Sequence, residues 1–251
     1  MATIIKPGKI LTITGTKLDL FSDVIFPGNI KATMFGQKTA TLLEVYVPVN
    51  VTLGAGTIQF ITNTGETTTS PQITFSGVDP VTDPALVFFD FDANDASIGW
   101  SDLGAIENDP AFTLNGKYYH VNATIADGWK TYFERNWGHY ATTGVDVNTY
   151  AVKMDINIPD AIGTGLVLKF RLSSSTLGDF WYVWKIGEKF PTGTDGWVTV
   201  TFPLTEFLDH DGNGPGTISD MSLIGSEYGL TAGWGSGNLN LYIDNIRYQL
   251  K

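Results

Sequence analysis

The chain has 251 residues, 43% hydrophobic and only 16% charged, with 28 glycines, a formal net charge of −11 and no cysteine. That length suits one large domain or two smaller ones with a sizeable core. The acidic balance excludes a basic field for nucleic acid and disfavours anionic polysaccharides, while the lack of cysteine excludes disulfides and thiolate metal sites. No stretch approaches the ~20 apolar residues of a spanning helix.

Residues 4–76 read as short strands. Ile10–Thr14 is one; Thr41–Val47 is another, with Leu43, Val45 and Val47 on one face; Ile58, Phe60 and Thr62 alternate in a third, and Ile73 and Phe75 close the set. Turns are marked by Pro27-Gly28-Asn29, Gly54-Ala55-Gly56 and Asn63-Thr64-Gly65. A unit of this size built this way is a small immunoglobulin-like sandwich spanning 1–77. Pro80 and Pro84 then stiffen a linker over 78–84.

The second unit, 85–251, opens with a strand over Leu86–Phe91. Tyr150 to Ile158, Leu166 to Leu172 and Trp197 to Phe202 alternate apolar and polar residues with period two, the pattern of half-buried antiparallel strands. Leu239, Leu241 and Ile243 start the last strand in one phase and Ile246 and Tyr248 end it in the other, which predicts a bulge near Asp244-Asn245. Helical signal is confined to pieces such as Pro203–Phe207. The fold class is therefore all-β, with a jelly-roll sandwich as the second unit.

That unit holds all seven tryptophans, more than a sandwich core needs, so two or three of them belong at the surface. In Phe180-Trp181-Tyr182-Val183-Trp184-Lys185, strand alternation puts Phe180, Tyr182 and Trp184 on one face and Trp181, Val183 and Lys185 on the other. At most one of Trp181 and Trp184 can then be an exposed platform. The second aromatic cluster, Trp129 to Tyr140, ends in a glycine-containing loop that favours exposure of Trp137 and Tyr140. Trp197 reads as structural, Trp100 as either, and Trp234, between Gly233 and Gly235, as a clamp or a lid. Exposed aromatics suit the apolar face of a pyranose ring. Lys153, Asp155, Lys169 and Arg171 fall on the non-core faces of their strands, where they would line a groove and bond sugar hydroxyls if that face is concave.

Asp209, Asp211, Asn213 and Asp220, with Gly214 between, match the 1, 3, 5, 12 spacing of a calcium loop, but the last ligand is Asp and no helices flank it; a glycine-rich turn with capping aspartates is the other reading. Asp90, Asp92 and Asp244 come together if the first and last strands pair. No nucleophile elbow, zinc motif or Glu-x-Asp-x-x-Glu spacing is present, so catalysis is not expected.

Two resemblances accompany this reading. Lys6-Pro7-Gly8, Leu11-Thr12-Ile13-Thr14-Gly15-Thr16, Val24-Ile25-Phe26-Pro27-Gly28 and Val45-Tyr46-Val47-Pro48 resemble the IPT/TIG immunoglobulin-like module of surface glycan-binding lipoproteins from Bacteroidetes polysaccharide-utilisation systems. Phe88-Phe89-Asp90-Phe91-Asp92, Leu241 to Arg247 and Gly196 to Phe207 are similar to the carbohydrate-binding sandwich of the same lipoproteins, a type that includes xyloglucan binders. The resemblance implies a non-catalytic, monomeric binder of a neutral polysaccharide, such as a β-glucan or xyloglucan. It also implies a lipid anchor at the outer-membrane surface, a neighbouring TonB-dependent transporter, a spacer role for the first unit and a structural Ca²⁺ near the terminal strands. A protein–protein adhesion fragment and a jelly-roll glycoside hydrolase are the alternatives.

Overall fold

The computed structural model describes residues 4–92, 100–114, 116–126, 130–135, 142–194, 196–225 and 227–251. The chain separates into two compact units, Met1–Pro80 and Val81–Lys251, and none of the described helices is long and apolar enough to cross a membrane.

The first unit is built from ten short strands: β1 (Ile4–Ile5), β2 (Ile10–Thr14), β3 (Phe21–Phe26), β4 (Ile30–Lys31), β5 (Phe35–Lys38), β6 (Leu42–Tyr46), β7 (Gly54–Gly56), β8 (Gln59–Thr62), β9 (Thr67–Thr69) and β10 (Ile73–Phe75). They form three sheets, ordered β1-β10-β7, β2-β6-β5 and β4-β3-β8-β9. The alternation in β6 buries Leu43 and Val45, and with Val47 they meet Val24, Phe26, Ile58 and Phe75 in one core. Lys6 ties the first strands to the end of the unit through Asp79, 2.6 Å away.

The second unit contributes β11 (Val87–Phe89), β12 (Ala105–Glu107), β13 (Tyr118–Ile125), β14 (Thr131–Arg135), β15 (Tyr150–Asn157), β16 (Val167–Ser174), β17 (Gly178–Trp184), β18 (Val198–Pro203), β19 (Glu227–Trp234) and β20 (Gly237–Leu250). One sheet runs β12-β13-β20-β15-β18, with β11 also on β20; the other runs β14-β19-β16-β17. Their inner faces meet ring to ring: Phe89 on Phe133 (5.2 Å), Phe88 on Tyr228 (4.8 Å) and Phe202 on Trp184 (5.3 Å). Burying such side chains contributes about 1.5–3 kcal/mol each, which makes this double layer the main source of stability. The expected helical piece is a single 3₁₀ turn, Leu204–Glu206.

The predicted bulge is present. Pairing between β15 and β20 slips between Lys153 and Asp155, opposite Asn245, whose φ is +47°. Asn is one of the few residues that tolerates this left-handed conformation, and its amide donates to Asp155 Oδ2 at 3.2 Å. The same carboxylate takes Arg247 Nη1 at 3.0 Å in a fully buried ion pair. Asn245→Ala combines a lost hydrogen bond with left-handed strain and should cost about 1–3 kcal/mol of the second unit's stability. Asn245→Gly should cost less, because it removes only the bond. Urea midpoints of the two variants check the order, and an equal loss would remove the strain argument.

Candidate functional site

The site is set by the register of the four-stranded sheet. Trp100 bridges Glu134 on β14, Glu134 faces Gly229 on β19, Gly229 faces Arg171 on β16, and Arg171 faces Trp181 on β17. All these pairings are antiparallel, so the five residues lie in one row on one face, across about 19 Å at the ~4.8 Å spacing of strands. The neighbouring row brings Thr231 beside Lys169, and a register shift then brings Trp234 opposite Val167. The opposite face of the sheet carries Phe133, Leu168, Phe170, Leu172 and Leu230 into the core, so this row is on the outside.

Ion pairs hold the row together. Arg171 bonds Glu134 and Glu227 and lies 3.5 Å from Asp179, while Lys169 is 3.8 Å from Asp211. Gly229 leaves the gap over which Glu134 reaches Arg171. Arg171 also lies 5.5 Å from the Trp181 ring, and Lys169 is within 5.7 Å of Trp181 and 5.6 Å of Trp234, distances at which a cation is attracted to an indole face. Burial raises the Glu227 carboxyl; Arg171 pulls it back, and Glu134 and Asp179 push it further up. The floor is a charge-paired plate with indoles at its ends, and Trp100 and Trp234 are 60% and 46% exposed.

The predicted platform residues divide. Trp184 is 4% exposed and packs in the core, because alternation in β17 sends Phe180, Tyr182 and Trp184 inward together. It is not a platform. Trp181 is on the outer face as expected but is also only 4% exposed. Its backbone pairs with Leu208, and Gly212 lies over the strand beside it, where a Cβ would be 3.6 Å from Trp181 Cβ and only 2.6 Å from Val183 Cγ2. Trp181 is thus part of the floor. Lys169 and Arg171 line this face, whereas Lys153 and Asp155 lie on β15 in the other sheet and share no groove with them. Trp129, Trp137 and Tyr140 lie outside the described residues. Trp197 is structural: 8% exposed, its indole N–H donates to Phe112 O at 2.9 Å. Among the described tryptophans, Trp100 and Trp234 are the exposed ones. Strand alternation could not find them, since each sits at the margin of a regular run.

The candidate calcium loop does not gather its ligands. Asp209 accepts from Gly216 N, Asp211 faces Lys169, and Asp220 caps the turn at Met221–Leu223 by accepting from Ser222 N. Asn213 donates its backbone N–H to His210 O. With no flanking helix to return the twelfth residue, the segment instead folds over the edge of β17. Among the described residues no three His, Cys, Asp or Glu are grouped to hold a metal.

At the terminal strands, Asp90 accepts from Asp92 N and Asp92 from Lys117 N. Asp244 is fully buried; Oδ1 accepts from Asn245 N, and Oδ2 has no hydrogen-bond partner among the described residues. Burial raises the Asp244 carboxyl well above its ordinary value, and Asp155, Asp92 and Asp90 push the same way against the Asn245 amide. A raised folded-state value means that its contribution to stability is full below the unfolded carboxylate range and is lost as pH rises toward the folded value. Asp244→Asn should therefore raise the melting temperature at neutral pH and change it little in acid. A cation seated on Asp90 and Asp244 would reverse this, so that chelator lowers the wild-type melting temperature and the variant melts below wild type.

A two-sheet sandwich whose one outer face carries exposed indoles over a charge-paired floor defines a β-sandwich domain of the carbohydrate-binding class. The chain belongs to the surface glycan-binding protein B xyloglucan-binding domain family, whose model matches residues 81–248. Among solved structures it is similar to surface glycan-binding protein B from Prevotella bryantii, at 19% identity and a TM-score of 0.51 over 98% of this chain and 74% of that one. A protein of the same type from a complex xyloglucan utilisation locus in Bacteroides uniformis matches at 15% identity and 0.47, over 98% and 70%. The family 30 carbohydrate-binding module of a Clostridium thermocellum cellulosomal cellulase matches at 19% identity and 0.45, over 66% and 97%. No curated protein matches.

Trp184→Ala should cost about 3–5 kcal/mol of folding, whereas Trp100→Ala and Trp234→Ala should change stability by less than about 1 kcal/mol because their rings are half exposed. Chemical denaturation of the three variants tests this assignment of core and surface.

Proposed function

We propose that the second unit binds a neutral polysaccharide without cleaving it, on the outer face of β14-β19-β16-β17, and that the polysaccharide is xyloglucan or a related β-glucan. The observation that carries this is the row from Trp100 to Trp181 in a domain of this family. Sugar rings stack on Trp100 and Trp234, while Glu227 and Asp211 at the rim, with Glu134 in the floor between them, take hydroxyls. The carboxylates are engaged on Arg171 and Lys169, which suits recognition better than a general acid and nucleophile. Affinity is on the order of micromolar to millimolar, about −8 to −4 kcal/mol, and avidity at a surface supplements it.

In this reading the first unit is an IPT/TIG-like spacer joined through the Pro80–Pro84 segment. The protein is a monomer displayed at the outer-membrane surface by a lipid anchor beside a TonB-dependent transporter. Any Ca²⁺ is structural, near Asp90 and Asp244.

Affinity electrophoresis against xyloglucan, mixed-linkage β-glucan and a uronate-rich pectin tests the reading. Retardation is expected in the neutral glycans without release of product. Trp100→Ala or Trp234→Ala should weaken it by about 1–3 kcal/mol, the worth of burying a large side chain. Silence in every neutral glycan would favour a protein partner, and release of oligosaccharide would favour a hydrolase.

A further inference from the structure

The other sheet carries a second polar face that the proposed site does not use. Along β13, Tyr119, Val121 and Ile125 point inward, so His120, Asn122 and Thr124 point outward; along β20, Asn238, Asn240 and Tyr242 do the same. Register sets Thr124 against Asn238, Asn122 against Asn240 and His120 against Tyr242. The turn at Asp160-Ala161, where the chain leaves β15, forms a wall beside them. Between floor and wall is a cleft of about 480 Å³ lined by Asn122, Thr124, Asp160, Asn238 and Asn240.

Three asparagines in register on neighbouring strands are a poor choice for the sheet itself, since Asn is depleted in strands. Two of the three side chains, Asn238 and Asn240, are fixed by their neighbours. Asn240 donates to Asp160 Oδ2 at 2.7 Å, and its Oδ1 is 2.9 Å from His120 Nε2; Thr124 donates to Asn238 Oδ1 at 2.8 Å. Glu107 holds the other nitrogen of His120 at 3.0 Å. Asn122 is exposed, and its amide has no partner among the described residues. The remaining Asp160 oxygen and the Asn238 amide nitrogen are likewise unengaged among the described residues. The cleft therefore offers both donors and acceptors in a preorganised frame.

An aromatic stack lies further along the same two strands, outside the cleft's lining. Tyr242 stacks on His120 at 4.1 Å and 10°, and Phe112 stacks on Tyr242 at 4.9 Å and 17° with its own ring 38% exposed. Mixed donors and acceptors in a fixed frame suit a hydroxyl-rich, uncharged ligand, and the cleft's volume lies within the range of small-ligand pockets.

We infer that this cleft is a second carbohydrate subsite, which takes a short stretch of neutral glycan on the sheet opposite the tryptophan face. The inference takes its ligand class from the function proposed above, but its residues and its sheet are separate. Two sites on opposite faces let one domain engage two chains, or two turns of one chain, and gain avidity without any new contact.

Side-chain amide NMR of the full chain, titrated with a xylogluco-oligosaccharide and then with a mixed-linkage β-glucan oligosaccharide, tests this. In a Trp100→Ala/Trp234→Ala double variant, the amides of Asn122, Asn238 and Asn240 should still shift saturably with at least one probe. Asn122→Ala should weaken that response about 5-fold, the worth of one neutral hydrogen bond, with an unchanged melting temperature and unchanged titration of the tryptophan face. Asn122→Lys, which fills the cleft, should abolish it. If the wild-type tryptophan face responds and the asparagine amides never do, the subsite is wrong and the proposed function stands. If the asparagines respond and the double variant binds as tightly as wild type, the subsite stands and the tryptophan face is wrong. Silence of the asparagines with both probes, or an equal response in Asn122→Lys, overturns the inference.

Discussion

The strand β20 pairs with three others and changes the face it presents to the core part-way along, at the Asp244-Asn245 bulge. Before that point it lies between β13 and β15; beyond it, β11 takes the place of β13. Leu239, Leu241 and Ile243 enter the core before the bulge and Ile246 and Tyr248 after it. Without the left-handed residue the second half would turn its apolar side chains to the outer face, since a one-residue slip inverts every position. The polar residues at the bulge are the consequence. Asp155, Asn245 and Arg247 bond one another where the ladder is interrupted, and Asp244 is left with an oxygen that has no hydrogen-bond partner among the described residues.

The opposite sheet depends on a different constraint, the sharing of one guanidinium by three carboxylates. Arg171 keeps Glu134, Asp179 and Glu227 on a single face, and the Trp181 ring beside it is a surface that arginine stacks on favourably. With Lys169 and Asp211 included, the plate holds four carboxylates against two cations. That surplus matches the acidic character of the chain as a whole and is unfavourable for uronates, and the aromatic ends supply what a neutral sugar needs. Strands position Glu134, Lys169, Arg171, Asp179 and Glu227, so most of the charged geometry exists before a ligand arrives and less conformational freedom is lost on binding.

The glycine positions on this sheet follow from the same requirement. Gly229 keeps the middle of the row low between Glu134 and Arg171, and Gly212, with φ +81°, lets the 208–217 segment close over Trp181 and Val183. Its burial of Trp181 converts a large indole from a contact surface into a support for two cations. The same segment holds Asp209 and Asp211, two of the aspartates whose spacing suggests a calcium loop. Spacing alone does not direct carboxylates to one point, because convergence depends on the backbone path between them.

Much of this architecture was legible in the chain itself. Period-two alternation located β2, β6 and β8 in the first unit and β15, β16, β18 and β20 in the second, the phase change in the last strand located its bulge, and the two faces of the Phe180–Lys185 run were assigned correctly, whereas β3, β13, β14 and β19 were not read as strands. These are local properties, fixed by the geometry of an extended backbone. Which of two opposite faces is wet is not local. Trp184 is buried because its face meets Phe202 from the other sheet, Trp181 because a segment nearly thirty residues later lies across it, and Lys153 parts from Lys169 because β15 and β16, though consecutive, enter different sheets. The exposure of Trp100 and Trp234 was likewise undecided by their neighbours in sequence, since it depends on strands that arrive beside them from elsewhere in the chain. The amino-acid sequence by itself determined the elements and the chemistry available to them; only the tertiary structure decided which of that chemistry faces a ligand, because burial is set by the elements that pack against a residue and not by those that adjoin it.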